Sequence, residues 1–384
     1  MPQQAFGESM VYLDNASTTN YKPPQVLNAV TECLTKYPFN PHRGGKVSLE
    51  LQQKIYTVRK KLSLICNNGN ENHVVFTSGC TEALNLAILG CAKRGHIIIS
   101  ATEHNSVLRP VMQLKAKGIV DVSIVAPNQT GQITVQSLQN ALRKDTYMLC
   151  INQASNVTGT VQNLWEIGTF ARANNLIFLC DCAQSMGYFP TDMAKNNVDL
   201  LAIAPHKGLH AMQGVGALIF TDRAIPKPIK FGGTGTESHL FTQPTTLPES
   251  LESGTPPCAN ILSLGAGIDW WLTNYKNTAE TMTYCQNLLL NGLKSIPNVT
   301  VYSQPNKCGI VAFNVGKMDS NVVADYLAEK HDIVLRGGLH CAPLMHQYLG
   351  TSDVGAVRAS VSCITTKQEC YALLNGVQSL AKQA

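Results

Sequence analysis

Little of this 384-residue chain is charged: Asp, Glu, Lys and Arg make up 14% of it. There is no long run of Lys or Arg, and the net charge is only +5, so a nucleic-acid surface is not implied. No apolar run approaches the length of a membrane span, so no membrane partner is expected. The opening stretch MPQQAFGESM lacks a basic region followed by an apolar one, and no signal peptide is read. A disulfide framework is missing too. The 13 cysteines are odd in number and scattered, and several, such as Cys150 and Cys180, sit in apolar runs. Free buried thiols suit a reducing compartment, so the cytoplasm is the expected location. Cys180 and Cys182 alone make a poor zinc signal, and no metal site is expected.

What is present is apolar and patterned. Hydrophobic residues make up 44% of the chain, enough for a large core and more than one domain of usual size. Short apolar runs bounded by turns alternate with helical patterns from residue 73 to 220. That alternation predicts an α/β layer around a mainly parallel sheet. Residues 226–257 are rich in Pro, Gly, Thr and Ser, with Phe231, Leu240 and Phe241 interspersed, and read as a functional or interface segment. Beyond it lie helical stretches at 261–272 and 288–293, then strands and helices of an α+β tail. The expected division is 20–258 as a large domain, with 1–19 and 259–384 as a smaller one.

Ligands in such sheets bind at the carboxyl ends of the strands. Polar residues gather there: Ser78 and Thr81, His104, Asn156, Asp181 with Gln184, and His206 with Lys207. A Ser/Thr turn opening a helix is an anion site or an ordinary helix cap. Lys207, between two apolar runs, is either a solvent-reaching lysine or a desolvated amine that forms a Schiff base. An anion cradle, His, Asn, Asp and Lys, each at a strand end, is the set that pyridoxal 5′-phosphate (PLP) requires.

The sequence resembles the class V aminotransferase family, and within it the cysteine desulfurase and selenocysteine lyase group. The segments that carry this are LDNASTT (13–19), FTSGCTEALNLA (76–87), EHNS (103–106), QASNVTG (153–159), DCAQS (181–185), HKG (206–208), ESGTP (252–256), RGGLHCAPLMH (336–346) and GAVRAS (355–360). The resemblance implies a fold-type I PLP-dependent transferase: a large domain with a mainly parallel seven-stranded sheet and a smaller α+β C-terminal domain. It also implies residue roles. Lys207 would be the Schiff-base lysine and Asp181 the partner of the pyridine nitrogen. His104 would stack on the ring and move protons, and Gln184 would bind the ring oxygen. Cys80, Thr81 and His206 would hold the phosphate. Asn156 would lie beside the cofactor oxygen and substrate carboxylate, with Arg358 as carboxylate clamp. Thr255 would reach the phosphate of the opposite subunit, which implies a homodimer. Cys341 would take sulfur from the substrate as a persulfide.

The implied activity is conversion of L-cysteine to L-alanine, with passage of sulfur to an acceptor protein. Selenocysteine or another β-substituted amino acid is the alternative substrate. An aminotransferase would make Cys341 incidental, and a silent sulfur-relay scaffold would leave Lys207, Asp181 and His104 unexplained. Two departures stand out. Ala204 occupies a position where relatives carry Ser or Thr, so one phosphate hydroxyl is missing. After the lysine, Ala211-Met212-Gln213-Gly214 stands where many relatives have Gly-Pro-x-Gly. The short loop at Cys341 is similar to that of the second desulfurase subgroup. His340, beside Cys341, is a candidate for tuning its thiol. Arg43 and Arg336 are open between a place at the site and a plain surface role.

Overall fold

The computed structural model describes residues 10–41 and 43–383; the first nine residues, which hold most of the stretch read for a leader, lie outside the described residues. The chain begins with β1 (Val11–Tyr12), α1 (Pro24–Lys36) and α2 (Lys46–Cys66). The alternating run is β2 (Val74–Thr77), α3 (Cys80–Gly90), β3 (Gly95–Ser100), α4 (Asn105–Ala116), β4 (Val120–Val125), α5 (Val135–Ala141), β5 (Thr146–Asn152), α6 (Leu164–Ala173), β6 (Ile177–Asp181), β7 (Leu200–Ile203) and β8 (Gly216–Phe220). The tail is α7 (Cys258–Lys294), β9 (Val299–Val301), β10 (Ile310–Val315), α8 (Ser320–His331), β11 (Ile333–Val334), α9 (Pro343–Leu349), β12 (Val357–Ser360) and α10 (Lys367–Ala381).

Local chemistry explains several boundaries. Pro24 opens α1, where its missing N–H costs nothing. The apolar stripe of α2 (Leu51, Ile55, Val58, Leu62) is buried, and Asn67 ends the helix in the left-handed conformation. Thr366 and Glu369 form a reciprocal capping box at the start of α10.

Seven strands form one sheet in the order β2-β8-β7-β6-β5-β3-β4. All its pairings are parallel except those of β8, which runs against both β7 and β2. Two reversals leave β2 aligned with β7. The carboxyl ends of β2, β3, β5, β6 and β7 therefore share one edge, and Asn152, Asp181 and Ala202 are neighbours across it. Alternate strand residues face two cores. Phe76, Leu149, Phe178 and Ile219 pack with α2, α6 and the start of α7. Val75, Met148, Leu179 and Leu218 pack with α3 and α4. Cover on both faces is why the strands read as continuous apolar runs.

The tail builds an antiparallel sheet, β12-β10-β9, and β1 pairs in parallel with β11. The two helical stretches expected at 261–272 and 288–293 are one helix, α7, of 37 residues. Its middle is polar because it bridges two cores: Ile261 to Trp271 pack against the large sheet, Met282 to Leu293 against the small one. α9 was not foreseen, since Pro343 reads as a break but occupies the first turn of the helix.

Candidate functional site

The turn after β2 ends in Gly79, which offers no side-chain cap to α3. Its first N–H groups therefore stay open at the positive end of the helix dipole. Thr81 is exposed there, its hydroxyl 2.8 Å from Ser106 Oγ. α3 begins at Cys80, two residues before the sequence expectation, and this places Cys80 in the first turn. Its thiol is directed not at the helix end but at Asp181, with Sγ 3.6 Å from Oδ1.

His104 caps α4. Its Nδ1 accepts from Ser106 N–H at 3.0 Å, which leaves the ring proton of the neutral form on Nε2. Burial, then Lys207 and Arg336, push this imidazole down to about 4. Glu103, just before it, was not singled out from sequence. It is fully buried, and its Oε1 accepts from Asn152 N–H at 2.8 Å and from Ser100 Oγ at 2.5 Å. Burial lifts its carboxyl to about 8.

Asp181 closes β6. Its Oδ1 accepts from Ala183 N–H at 2.9 Å, and burial raises its pKa against the lowering effects of that bond and of Lys207. Gln184 donates from Nε2 to Ala16 O at 2.9 Å, while its buried Oε1 has no partner. His206 Nδ1 lies 3.1 Å from Thr18 Oγ1, and burial holds the ring near 4. Lys207 follows β7. Burial, then the charge of Arg358, bring its amine down to about 8. The next residue must be glycine: a Cβ on Gly208 would stand 2.3 Å from Met186 O. Cys80, Thr81, His104, Asp181, Gln184, His206 and Lys207 line one cavity of about 300 Å³, together with Ser78, Asn156 and Ala204; Glu103 lies outside its lining. A larger cleft, about 810 Å³, lies beside the Arg59–Glu252 ion pair and holds none of these groups.

Arg358, on β12, is 1% exposed. It donates from Nη1 to Asn156 O at 2.8 Å, and from Nη2 to Asp14 Oδ1 at 2.9 Å and Ser17 Oγ at 3.0 Å; Nε has no partner. Asn156 donates from Nδ2 to His340 O at 2.6 Å, and its Oδ1 is unpartnered. Cys341 lies in the turn before α9. Its carbonyl accepts from Asn105 N–H at 2.7 Å, which ties this turn to the residue after His104. His340 and Cys341 both hold left-handed backbone, at φ 50° and 56°. Cys341 is not among the residues lining the cavity.

The thiol's charged neighbour is Arg336, whose Nη2 is 3.8 Å from Sγ. The His340 ring is instead 2.9 Å from Ala356 O through Nε2, and burial drives it down to about 2. Thr255 is exposed beside Cys33 and Phe39, away from the cavity of its own chain. Arg43 is exposed. Among the described residues, no group of three or more His, Cys, Asp and Glu side chains is arranged to hold a metal.

A family model described as "Aminotransferase class-V" matches residues 11–373. A cysteine desulfurase from Escherichia coli (strain K12 / DH10B) is 31% identical over 397 residues, covering 99% of this chain and 95% of the relative. One from Shigella flexneri is equally similar, at 31% over 396 residues and the same coverage. Among solved structures, the apo cysteine desulfurase from Thermococcus onnurineus NA1 superposes with a TM-score of 0.90, at 27% identity, and both chains are covered in full, 100% each. A cysteine desulfurase from Escherichia coli gives 0.88 at 26% identity, covering 99% of this chain and 96% of that one.

Proposed function

The chain belongs to the aminotransferase class-V family, and we propose that it is a PLP-dependent cysteine desulfurase that converts L-cysteine to L-alanine. One observation carries the reading: Lys207, Asp181 and an open helix N-terminus line a single cavity, and the Cys341 turn is bonded to the residue after His104.

The residues present fit the cofactor. A partly neutral amine, a buried carboxylate, open N–H groups and the unpartnered buried oxygens of Gln184 and Asn156 all converge there. Lys207 and Asp181 would hold the two ends of the pyridine system, with α3 and Thr81 at the phosphate. Bound PLP supplies an aldehyde for amines and an electron sink.

Lys207, at about 8, is in part an unprotonated amine near neutral pH, able to accept the substrate α-proton at Nζ. Arg358 would hold the substrate carboxylate; its Nε has no partner, and on Nη2 the substrate would replace Asp14 and Ser17. Cys341 Sγ then attacks the substrate sulfur. The S–S bond forms as the Cβ–S bond breaks with its electron pair left on carbon; Lys207 returns the α-proton to Cα, and a further proton delivered to Cβ yields alanine and an enzyme persulfide. His104, held neutral with its ring proton on Nε2, is placed to move that proton.

The 13 cysteines are all free thiols, which fits a reducing compartment such as the cytoplasm. The exposure of Thr255 supports a homodimer in which it reaches the partner's phosphate site.

The test is a product assay with cysteine, selenocysteine and cysteine sulfinate side by side. Alanine and sulfide from cysteine, with no keto acid added, are expected. Cys341→Ser should abolish sulfide release while PLP stays bound, and Lys207→Ala should lose the cofactor's visible absorption band. Full desulfurase turnover in Cys341→Ser would refute the nucleophile. A native protein that stays colourless after incubation with PLP would refute the cofactor.

A further inference from the structure

Along the cavity wall, three side chains form a chain of hydrogen bonds. Thr81 Oγ1 is 2.8 Å from Ser106 Oγ, and Ser106 Oγ is 2.9 Å from His104 Nδ1. Ser106 is buried and Thr81 is exposed at the mouth of α3. A hydroxyl has one hydrogen to donate, and two acceptors lie within reach of that of Ser106: His104 Nδ1 and Thr81 Oγ1. The Ser106 backbone N–H already donates to the same Nδ1, at 3.0 Å. His104 therefore keeps its tautomer whichever way the hydroxyl turns.

The hydrogen of Thr81 decides the direction. When Thr81 donates to Ser106 Oγ, the Ser106 hydrogen is left for His104. When an anion at the α3 N-terminus takes the Thr81 hydrogen, Thr81 Oγ1 becomes the acceptor for Ser106. We propose that Ser106 is a two-position hydroxyl relay that couples the cofactor phosphate at Thr81 to the imidazole of His104. The relay releases one of the two donors on Nδ1 when the phosphate is seated. Nδ1 of His104 then accepts one hydrogen bond in the loaded protein and two in the cofactor-free one. The charges acting on this ring come from several elements: Lys207 after β7, Arg336 after β11, Arg358 on β12 and Arg109 on α4 itself. All are cations, so the hydroxyl is a local adjustment within a field that already opposes protonation.

This inference rests on the PLP reading of the cavity, and its test separates the two. The Nδ1 nitrogen resonance of His104 reports directly how strongly that atom is hydrogen-bonded, and it is read at neutral pH in ¹⁵N-histidine-labelled protein. His104→Gln provides the assignment. In cofactor-free protein, Ser106→Ala is expected to move the resonance downfield, because a donor is lost. In protein loaded with PLP it is expected to leave the resonance in place, because Ser106 has already turned to Thr81. Loading with pyridoxal, which lacks the phosphate, should retain the downfield shift on substitution. Ser106→Thr, which keeps the hydroxyl, should restore the native resonance in the cofactor-free form. An equal shift with and without PLP, or none in the cofactor-free protein, would overturn the relay while PLP still binds. Failure to bind PLP at all would overturn the underlying reading.

Discussion

Arg358 has both terminal nitrogens engaged, by Asn156 O, Asp14 and Ser17. Lysine keeps the charge but not the fork. Arg358→Lys is expected to raise KM for cysteine by about tenfold or more, in steady-state sulfide release. The arginine was legible from the motif around it, but its pairing with Asp14 was not, because 344 residues separate the two. Cys80 shows a similar limit. The sequence places it in the phosphate cradle, while helix phase turns its thiol to Asp181. Glu103 had no sequence signal beyond an acid ahead of His104. Its carboxyl is lifted from an ordinary 4.5 to about 8, so its folded form binds a proton that the unfolded form releases. Its contribution to stability is full below about 4.5 and declines as pH rises toward 8. Glu103→Gln is therefore expected to preserve or raise stability at pH 8, whereas Glu103→Ala leaves the Asn152 N–H unpaired and should cost about 1–3 kcal/mol. Denaturant titration of both variants checks the pair.

Among the elements, α7 does the most positioning. It passes so close to the segment after Lys207 that a Cβ on Gly267 would stand 2.1 Å from Leu209 O. Backbone must move to admit it. Gly267→Ala is expected to cost about 1–3 kcal/mol and to weaken PLP binding, read by denaturation and cofactor titration. Both ends of α7 were visible as apolar stretches. Its continuity was not, since a polar middle between two cores resembles a loop until the second core is known. The strands of the large sheet were legible to within a residue or two, because cover on both faces leaves them apolar throughout. Helix starts were less so: α3 and α4 each begin two residues early, at Cys80 and Asn105, where polar first turns hide the periodicity.

Among the described residues, burial lowers six imidazoles, His96 among them: His104, His206, His210 and His346 to near 4, and His340 to near 2. Each folded value lies below the ordinary 6.5, so the unfolded chain takes up protons first. Their joint contribution is full above about 6.5 and is lost as pH falls toward 4, outweighing the opposite slope of Glu103. The denaturant midpoint should fall steadily from pH 7 to pH 5; a flat profile would contradict this. The edge of the large sheet has another consequence. β2 and β7 carry the cradle and the lysine on either side of β8, which pairs with β2 across some 140 residues of chain. Contacts so distant in sequence close slowly. A nascent chain that has not reached Phe220 has no strand to join the two halves, so the proposed cofactor site cannot close in any shorter fragment.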